Sequence, residues 1–307
     1  MTSDLEFTGE RFVPGARGPI WIEHWHRYHF AAPFARGKRV IDIACGEGYG
    51  SALLAREAAS VCGVDISAEA IAHAQRVYAD RGNLQFRQGS CTAIPLADAS
   101  VDLAVSFETI EHIHEQAEFL AELARVLAPE GVLLLSSPDK AEYSDKRGFA
   151  NEFHVRELYR DELRTLVAAR FPHLRWFAQK PTFFSVIAPE SPPTAGALAE
   201  VGEEDPSRAG TALPAPLYHL VAASRSAAAL AALPDTLHVL ADRGDWVWLD
   251  YQKVMRWMKE GVAHREQLQR ELDARDATIA ELRAKARHED APPPVRSLRA
   301  WLAALLR

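Results

Sequence analysis

From Arg39 to Ser137, short apolar runs alternate with longer amphipathic stretches. Arg39–Ala44 (RVIDIA) predicts a strand, followed by a glycine loop and a helix over Ser51–Ala59. Ser60–Asp65 (SVCGVD) predicts a second strand, and Ser67–Ala79 a second helix. Ser67 stands at its N-cap, where a hydroxyl accepts an otherwise orphaned backbone N–H. Leu84–Arg87, Val101–Ser106 (VDLAVS) and Gly131–Ser137 (GVLLLSS) read as strands three to five, the fifth stopped by Pro138. A helix to Leu127 follows the fourth strand, and Glu157–Arg170 reads as another. Strands that are apolar throughout are buried on both faces, so the pattern predicts a mainly parallel sheet covered by helices on each side. Right-handed crossovers make this a doubly wound, Rossmann-like α/β layer. Leu174–Ala178 and Thr182–Ala188 are candidates for further strands, and Leu217–Ala223 (LYHLVAA) for the last.

On either side of this pattern the chain changes character. Residues 1–38 begin with Pro14, Gly15, Gly18 and Pro19 as breakers and continue in the aromatic-rich stretch Trp21–Ala35, a candidate cap or lid segment. The main domain is expected over residues 39–225, with a Pro-, Gly-, Ala- and Glu-rich insertion over 189–216. Residues 226–290 form a helical extension. In it Val254, Met258, Gly261, Arg265, Leu268, Leu272, Arg275, Ile279, Leu282 and Ala286 follow a 4-3 spacing. That spacing suits a short coiled coil, a solvated single helix, or a helix packed on the domain. After Pro292–Pro294 the tail, within residues 291–307, sets Leu298, Trp301, Leu302, Leu305 and Leu306 beside Arg296, Arg299 and Arg307. Such an amphipathic segment lies on a membrane surface, docks on a partner or packs on its own chain.

Charge narrows the partners. Against 35 basic residues stand 42 acidic ones, a net charge of −7, whereas proteins living on phosphate backbones carry a basic excess, so nucleic acid is not the expected partner. Cys45, Cys62 and Cys91 show no zinc or redox spacing and read as reduced cysteines. With no apolar leader and no run of about 18 apolar residues, the expected location is the cytoplasm.

The chemistry starts in the glycine loop. Asp42–Gly50 (DIACGEGYG) follows the first strand, at the sheet edge where open α/β folds bind ligands. Its G-x-G-x-G spacing differs from the dinucleotide fingerprint, since Ser stands at position 51. Asp65 closes the second strand 19 residues after Gly46. A carboxylate there accepts both hydroxyls of a ribose; alone, it would read as a charge complementing the next helix's dipole. Loop and acid together point to a nucleoside ligand.

These residues, with Val64-Asp65-Ile66-Ser67, Gly89-Ser90-Cys91 and Ile94-Pro95, Val101-Asp102, and Arg125-Val126-Leu127 with Gly131, resemble the class I S-adenosylmethionine (SAM) dependent methyltransferases over about residues 38–140. The resemblance implies that Gly46 and Gly48 flank the methionine part of SAM, that Asp42 helps hold its ammonium, that Asp65 binds the ribose and that Ile66 lies against the adenine. It also assigns Ser90, Cys91 and Phe107 to the cofactor site. Family members often carry Asp where Ser90 stands.

A second cluster follows the fourth strand in Ser106–His112 (SFETIEH). On a helix starting near Glu108, the residues Glu108, Glu111 and His112 sit at i, i+3 and i+4 and share a face. There His112 suits a general base, or the group suits a divalent cation that lowers a hydroxyl's pKa; an acidic helix start with a half-buried histidine is the plainer alternative. Asn151-Glu152-Phe153-His154 falls in the loop expected to roof the site. Glu-x-x-Glu-His with a later His resembles the metal site of small-RNA terminal 2′-O-methyltransferases and, in part, ubiquinone-pathway O-methyltransferases. That resemblance implies Glu108, Glu111, His112 and His154 as ligands of Mg²⁺ or Mn²⁺, with His112 and His154 as catalytic residues; otherwise His154 hydrogen-bonds a loop.

The stretches GERFVP, RYHFAAPF, IACGEGYGS, SFETIEHI and NEFHVREL resemble methyltransferases of bacterial surface-polysaccharide and sugar-modification pathways over about residues 9–170. This implies a sugar hydroxyl, at a glycan chain end, as acceptor. It also fits C-terminal helices that join a second copy or a partner protein at the inner membrane face. The competing readings are a small-metabolite O- or N-methyltransferase and a non-catalytic scaffold on the same fold.

Overall fold

The computed structural model describes residues 19–182, 200–201, 209–210, 213, 215–231, 233, 236–240 and 244–289. The segment Gly9–Phe12, most of the candidate strand Thr182–Ala188 and of the insertion 189–216, and the tail 291–307 lie outside them. The chain divides into two compact units, Met1–Ala241 and Asp242–Arg307.

In the first unit, helix α1 (Pro19–Ala31) leads into a single 3-10 turn, Ala32–Ala35. Then strand β1 (Arg39–Ile43), α2 (Tyr49–Leu54), β2 (Ser60–Asp65), α3 (Ala68–Val77), β3 (Leu84–Gln88) and β4 (Val101–Ser106) follow. After them come α4 (Gln116–Val126), β5 (Leu127–Pro138), α5 (Arg160–Ala168) and β6 (His173–Gln179). A two-residue pair, β7 (Glu200–Val201) with β8 (Ala209–Gly210), precedes β9 (Tyr218–Ser224) and α6 (Ala227–Ala231). Ser67 caps α3 as expected, its hydroxyl accepting the Ala70 N–H at 3.2 Å.

Seven strands form one sheet in the order β3-β2-β1-β4-β5-β9-β6. The first five run parallel. Strand β9 runs antiparallel to both β5 and β6. The order reverses between β1 and β4, so the crevice opens at the carboxyl ends of those two strands.

Alternation along each strand divides the core. Ile41 and Ile43 face one side with Phe119, Leu120 and Leu123 of α4 and Leu163 and Val167 of α5. Val40, Leu103, Val105, Val132 and Leu134 face the other, with Tyr28 and Ala31 of α1, Leu53 and Leu54 of α2, and Leu230 of α6. Cys62 is buried in the first of these layers and Cys45 beside Ile71, Ala74 and Phe86, and all three cysteines are free thiols.

The helix expected from Glu108 to Leu127 is broken. A 3-10 turn, Ile110–His112, comes first, and α4 starts only at Gln116. Glu108 lies before that turn with φ +53°, a left-handed backbone that no α-helix contains. The i, i+3, i+4 argument for a shared helical face therefore does not hold.

The second unit contains α7, Trp246–Glu289, 44 residues long. Its seam residues Val254, Met258, Leu268, Leu272, Ile279 and Leu282 are all exposed. Among the described residues no helix is long and apolar enough to cross a membrane.

Candidate active site

The glycine loop is shaped by two aromatic rings. Gly48 has φ +90°, and a Cβ there would stand 2.6 Å from the Phe86 ring. At Gly50 a Cβ would stand 2.1 Å from Cζ of Tyr28. The third glycine, out of register with the dinucleotide fingerprint, is thus the seat of an α1 side chain. Tyr28 also donates its hydroxyl to Asp42 Oδ1 at 3.0 Å, and Ser51 donates to Oδ2 at 2.6 Å. Asp42 is fully enclosed; burial pushes its carboxyl up to about 7 despite those two hydrogen bonds.

Asp65 ends β2 with both oxygens in use. Oδ2 accepts the Gly46 N–H at 2.9 Å and Oδ1 accepts the Ser67 N–H at 2.9 Å. One carboxylate therefore ties the glycine loop to the start of α3. Ile66, next in the chain, is 73% exposed, an apolar side chain standing at the sheet edge. Ser90 turns its hydroxyl to Thr92 at 2.8 Å, Cys91 is half-buried against the core, and Phe107 packs edge-on to Tyr28 with centroids 5.2 Å apart.

Beyond β4, Glu111, His112 and His154 each offer one ligand atom, all within 4.8 Å of one another. Glu108, expected with them, stands outside this group. Its backbone N–H donates to Ser136 Oγ at 3.0 Å, Ser136 donates back to its Oε1 at 2.6 Å, and its Oε2 pairs with Arg27 at 3.5 Å. The Glu108 carboxylate is engaged instead by Ser136 and Arg27.

Each member of the group is oriented by its neighbours. Glu111 is completely buried, and neither carboxylate oxygen has a hydrogen-bond partner. Burial, followed by the Glu108 charge, drives its pKa well above the usual carboxylate range. His112 Nδ1 lies 2.9 Å from the Phe153 carbonyl, which accepts its proton and leaves Nε2 as the basic nitrogen. His154 Nδ1 donates to Glu157 Oε1 at 2.6 Å, and Glu157 Oε2 accepts the Ser144 hydroxyl at 2.5 Å. A carbonyl behind one imidazole and a carboxylate behind the other are the supports that metal-ligating histidines use. With a buried carboxylate lacking partners beside them, the donor set fits a divalent cation. His154 Nε2 accepts the Asn151 amide at 3.0 Å, and a cation there would replace that donor.

Sequence reasoning missed the supports. Glu157 follows His154 by one helical step, a signal within reach; Ser136 and Phe153 O carry none. It also left a buried cluster unassembled: Glu23, Arg27, Gln179 and Tyr218, joined across up to 195 positions of chain.

A glycine loop after β1, a carboxylate closing β2 and a polar group after β4, on a sheet that reverses between β1 and β4, make an arrangement similar to that of class I SAM-dependent methyltransferase domains. Residues 41–135 match the family model described as a methyltransferase domain. A probable S-adenosylmethionine-dependent methyltransferase of Mycolicibacterium smegmatis is 40% identical over 170 residues, 54% of this chain and 65% of that one. A fatty-acid O-methyltransferase of the same organism is 36% identical over 112 residues, 35% of this chain and 40% of that one. Among solved structures, the YcgJ protein of Bacillus subtilis aligns with a TM-score of 0.49 at 18% identity, over 66% of this chain and 100% of that one. The chain spans 60–65% of the length of curated relatives such as the M. smegmatis protein.

Proposed function

We infer that the protein transfers the methyl group of SAM to a hydroxyl of a sugar or glycan chain end, assisted by a divalent cation. The observation that carries this reading is Glu111: a fully buried carboxylate with no hydrogen-bond partner, beside two histidines whose Nδ1 atoms are already committed. Burying such a group unmatched is expensive, and the structure keeps it at the carboxyl edge of β4.

SAM supplies an activated methyl for in-line displacement, so the protein's work is to align the acceptor oxygen and remove its proton. Asp65 braces the loop that borders the nucleoside, and Ile66 offers an apolar face to the adenine. His112 Nε2 would be one of the cation's ligands when the cation is bound, and the proton-accepting nitrogen when it is not. Glu111, His112 and His154 would hold Mg²⁺ or Mn²⁺, which when bound lowers the pKa of an acceptor hydroxyl. A vicinal diol suits such a group because it offers two oxygens.

The second reading is methylation of a carboxyl group, favoured by the similarity to a fatty-acid O-methyltransferase. A carboxylate is already ionised at neutral pH. It needs neither base nor cation, which leaves the Glu111 group without a task.

The exposed apolar seam of α7 supports a partner or a second copy on that helix. The deciding experiment is transfer of labelled methyl from SAM to diol-bearing glycosides with and without EDTA. Loss on chelation and recovery with Mg²⁺ or Mn²⁺ is expected. Full turnover in EDTA removes the cation from the mechanism.

A further inference from the structure

Arg27 is 1% exposed, and neither Nη1 nor Nη2 has a hydrogen-bond partner. Only Nε is satisfied, donating to Gln179 Oε1 at 2.8 Å. The guanidinium lies 4.3 Å over the Tyr218 ring, and that tyrosine's hydroxyl donates to Glu23 Oε2 at 2.9 Å. Glu108 faces Nη2 at 3.5 Å, close enough to offset its charge but too far for a well-formed N–H···O bond. Glu108 is the more open of the pair, with 14% of its side chain exposed. Four buried N–H donors therefore stand unmatched beside a carboxylate three residues before Glu111, and such donors are costly to leave unpaired.

We propose that Arg27 and Glu108 form a subsite that grips a neutral hydroxyl-bearing acceptor, next to the Glu111 group; this rests on the sugar-hydroxyl reading above. The chemistry of the pair selects the ligand. A hydroxyl both accepts from Arg27 and donates to Glu108, so two hydroxyls on adjacent carbons satisfy both partners. A carboxylate or phosphate only accepts, and on Arg27 it would sit against the Glu108 charge. Arg27 also lines a cavity with Phe30, Phe177 and Leu220. Glu108 does not line that cavity, so the head group decides and the Glu108 charge disfavours a fatty acid.

The test is equilibrium binding to the full chain, loaded with S-adenosylhomocysteine, by ligand-observed NMR. The probes are methyl β-D-glucopyranoside, methyl β-D-glucuronide and palmitate. The glucoside is expected to bind at least tenfold more tightly than the glucuronide. Glu108→Gln, of the same shape, is expected to shrink that ratio at least fivefold by leaving Arg27 to attract the acid. Arg27→Lys keeps the charge but loses the fork, and should weaken the glucoside at least tenfold; thermal melting of both variants establishes that they are folded. If Arg27→Lys does not fold, the Glu108→Gln ratio decides alone. An unchanged ratio in Glu108→Gln, binding of neither sugar, or palmitate bound more tightly than the glucoside overturns the subsite. Methyl transfer is scored separately: a chain that methylates glycosides yet ignores both substitutions keeps the parent reading and loses this one.

Discussion

The imidazole rings of His112 and His154 stand at 88° to one another with centroids 4.9 Å apart. One comes from the turn after β4 and the other from the loop after β5, and each is held from behind through Nδ1. His112→Ala and His154→Ala are accordingly expected to leave SAM affinity unchanged while turnover falls by about 10²-fold or more. Calorimetric titration with SAM and a labelled-methyl assay separate the two effects, and normal turnover in both variants would sink the catalytic assignment.

Glu157 orients His154 without facing the acceptor. Glu157→Gln keeps the shape and removes the charge, and is expected to lower turnover or cation affinity by about 10- to 100-fold. Rescue of turnover by raised Mg²⁺ or Mn²⁺ distinguishes this from misfolding.

Asp65 bonds Gly46 and Ser67 together. Asp65→Ala should weaken SAM binding by about 10- to 100-fold, through lost charge-assisted hydrogen bonds. Unaltered affinity would contradict any part for Asp65 in the nucleoside site.

Gly50→Ala places a Cβ 2.1 Å from Cζ of Tyr28. A loss of about 1–3 kcal/mol in unfolding free energy is expected from this overpacking. In a Tyr28→Ala background the same change should cost far less, because the two residues share one space. Denaturant melts of the double-mutant cycle measure the coupling; simple additivity would mean that the contact is not what constrains position 50.

Burial raises Asp42 to about 7 and Glu47 to about 7. Unfolded carboxyls release their protons near pH 4, so between about pH 4 and 7 the folded state binds more protons than the unfolded state. Stability from these groups is present at the acidic end and is lost as pH rises through 7, at about 1.4 kcal/mol per pH unit for each group. Asp42→Asn should flatten its share of that slope, and melts across the range test it.

Strands β1, β2, β4, β5 and β9 were legible in the sequence because each is buried along most of its length, and the loop and Asp65 because their spacing follows from one strand-loop-helix unit. The break after β4 was not. Glu108 to Leu127 has helical periodicity, but the left-handed Glu108 is held there by Ser136, a partner 28 residues away. Distance in sequence hid the antiparallel β9 and the Glu23–Arg27–Tyr218 cluster in the same way. For the site, Glu111, His112 and His154 were found by residue type, although the geometry that gathers them is a 3-10 turn and not a helical face.

The seat of Tyr28 on Gly50 bears on how anything enters the crevice. A moving cover must open at small free energy, which requires few buried contacts. Lifting α1 would strip Tyr28 from Asp42 and uncover Arg27 and Ala31 in the same movement. Helix α1 is thus part of the frame, whereas the stretch between β5 and α5 holds Phe149 and Val155, which are 51% and 44% exposed. His154 lies on the stretch between β5 and α5, so any movement of that stretch would carry one ring of the histidine pair with it.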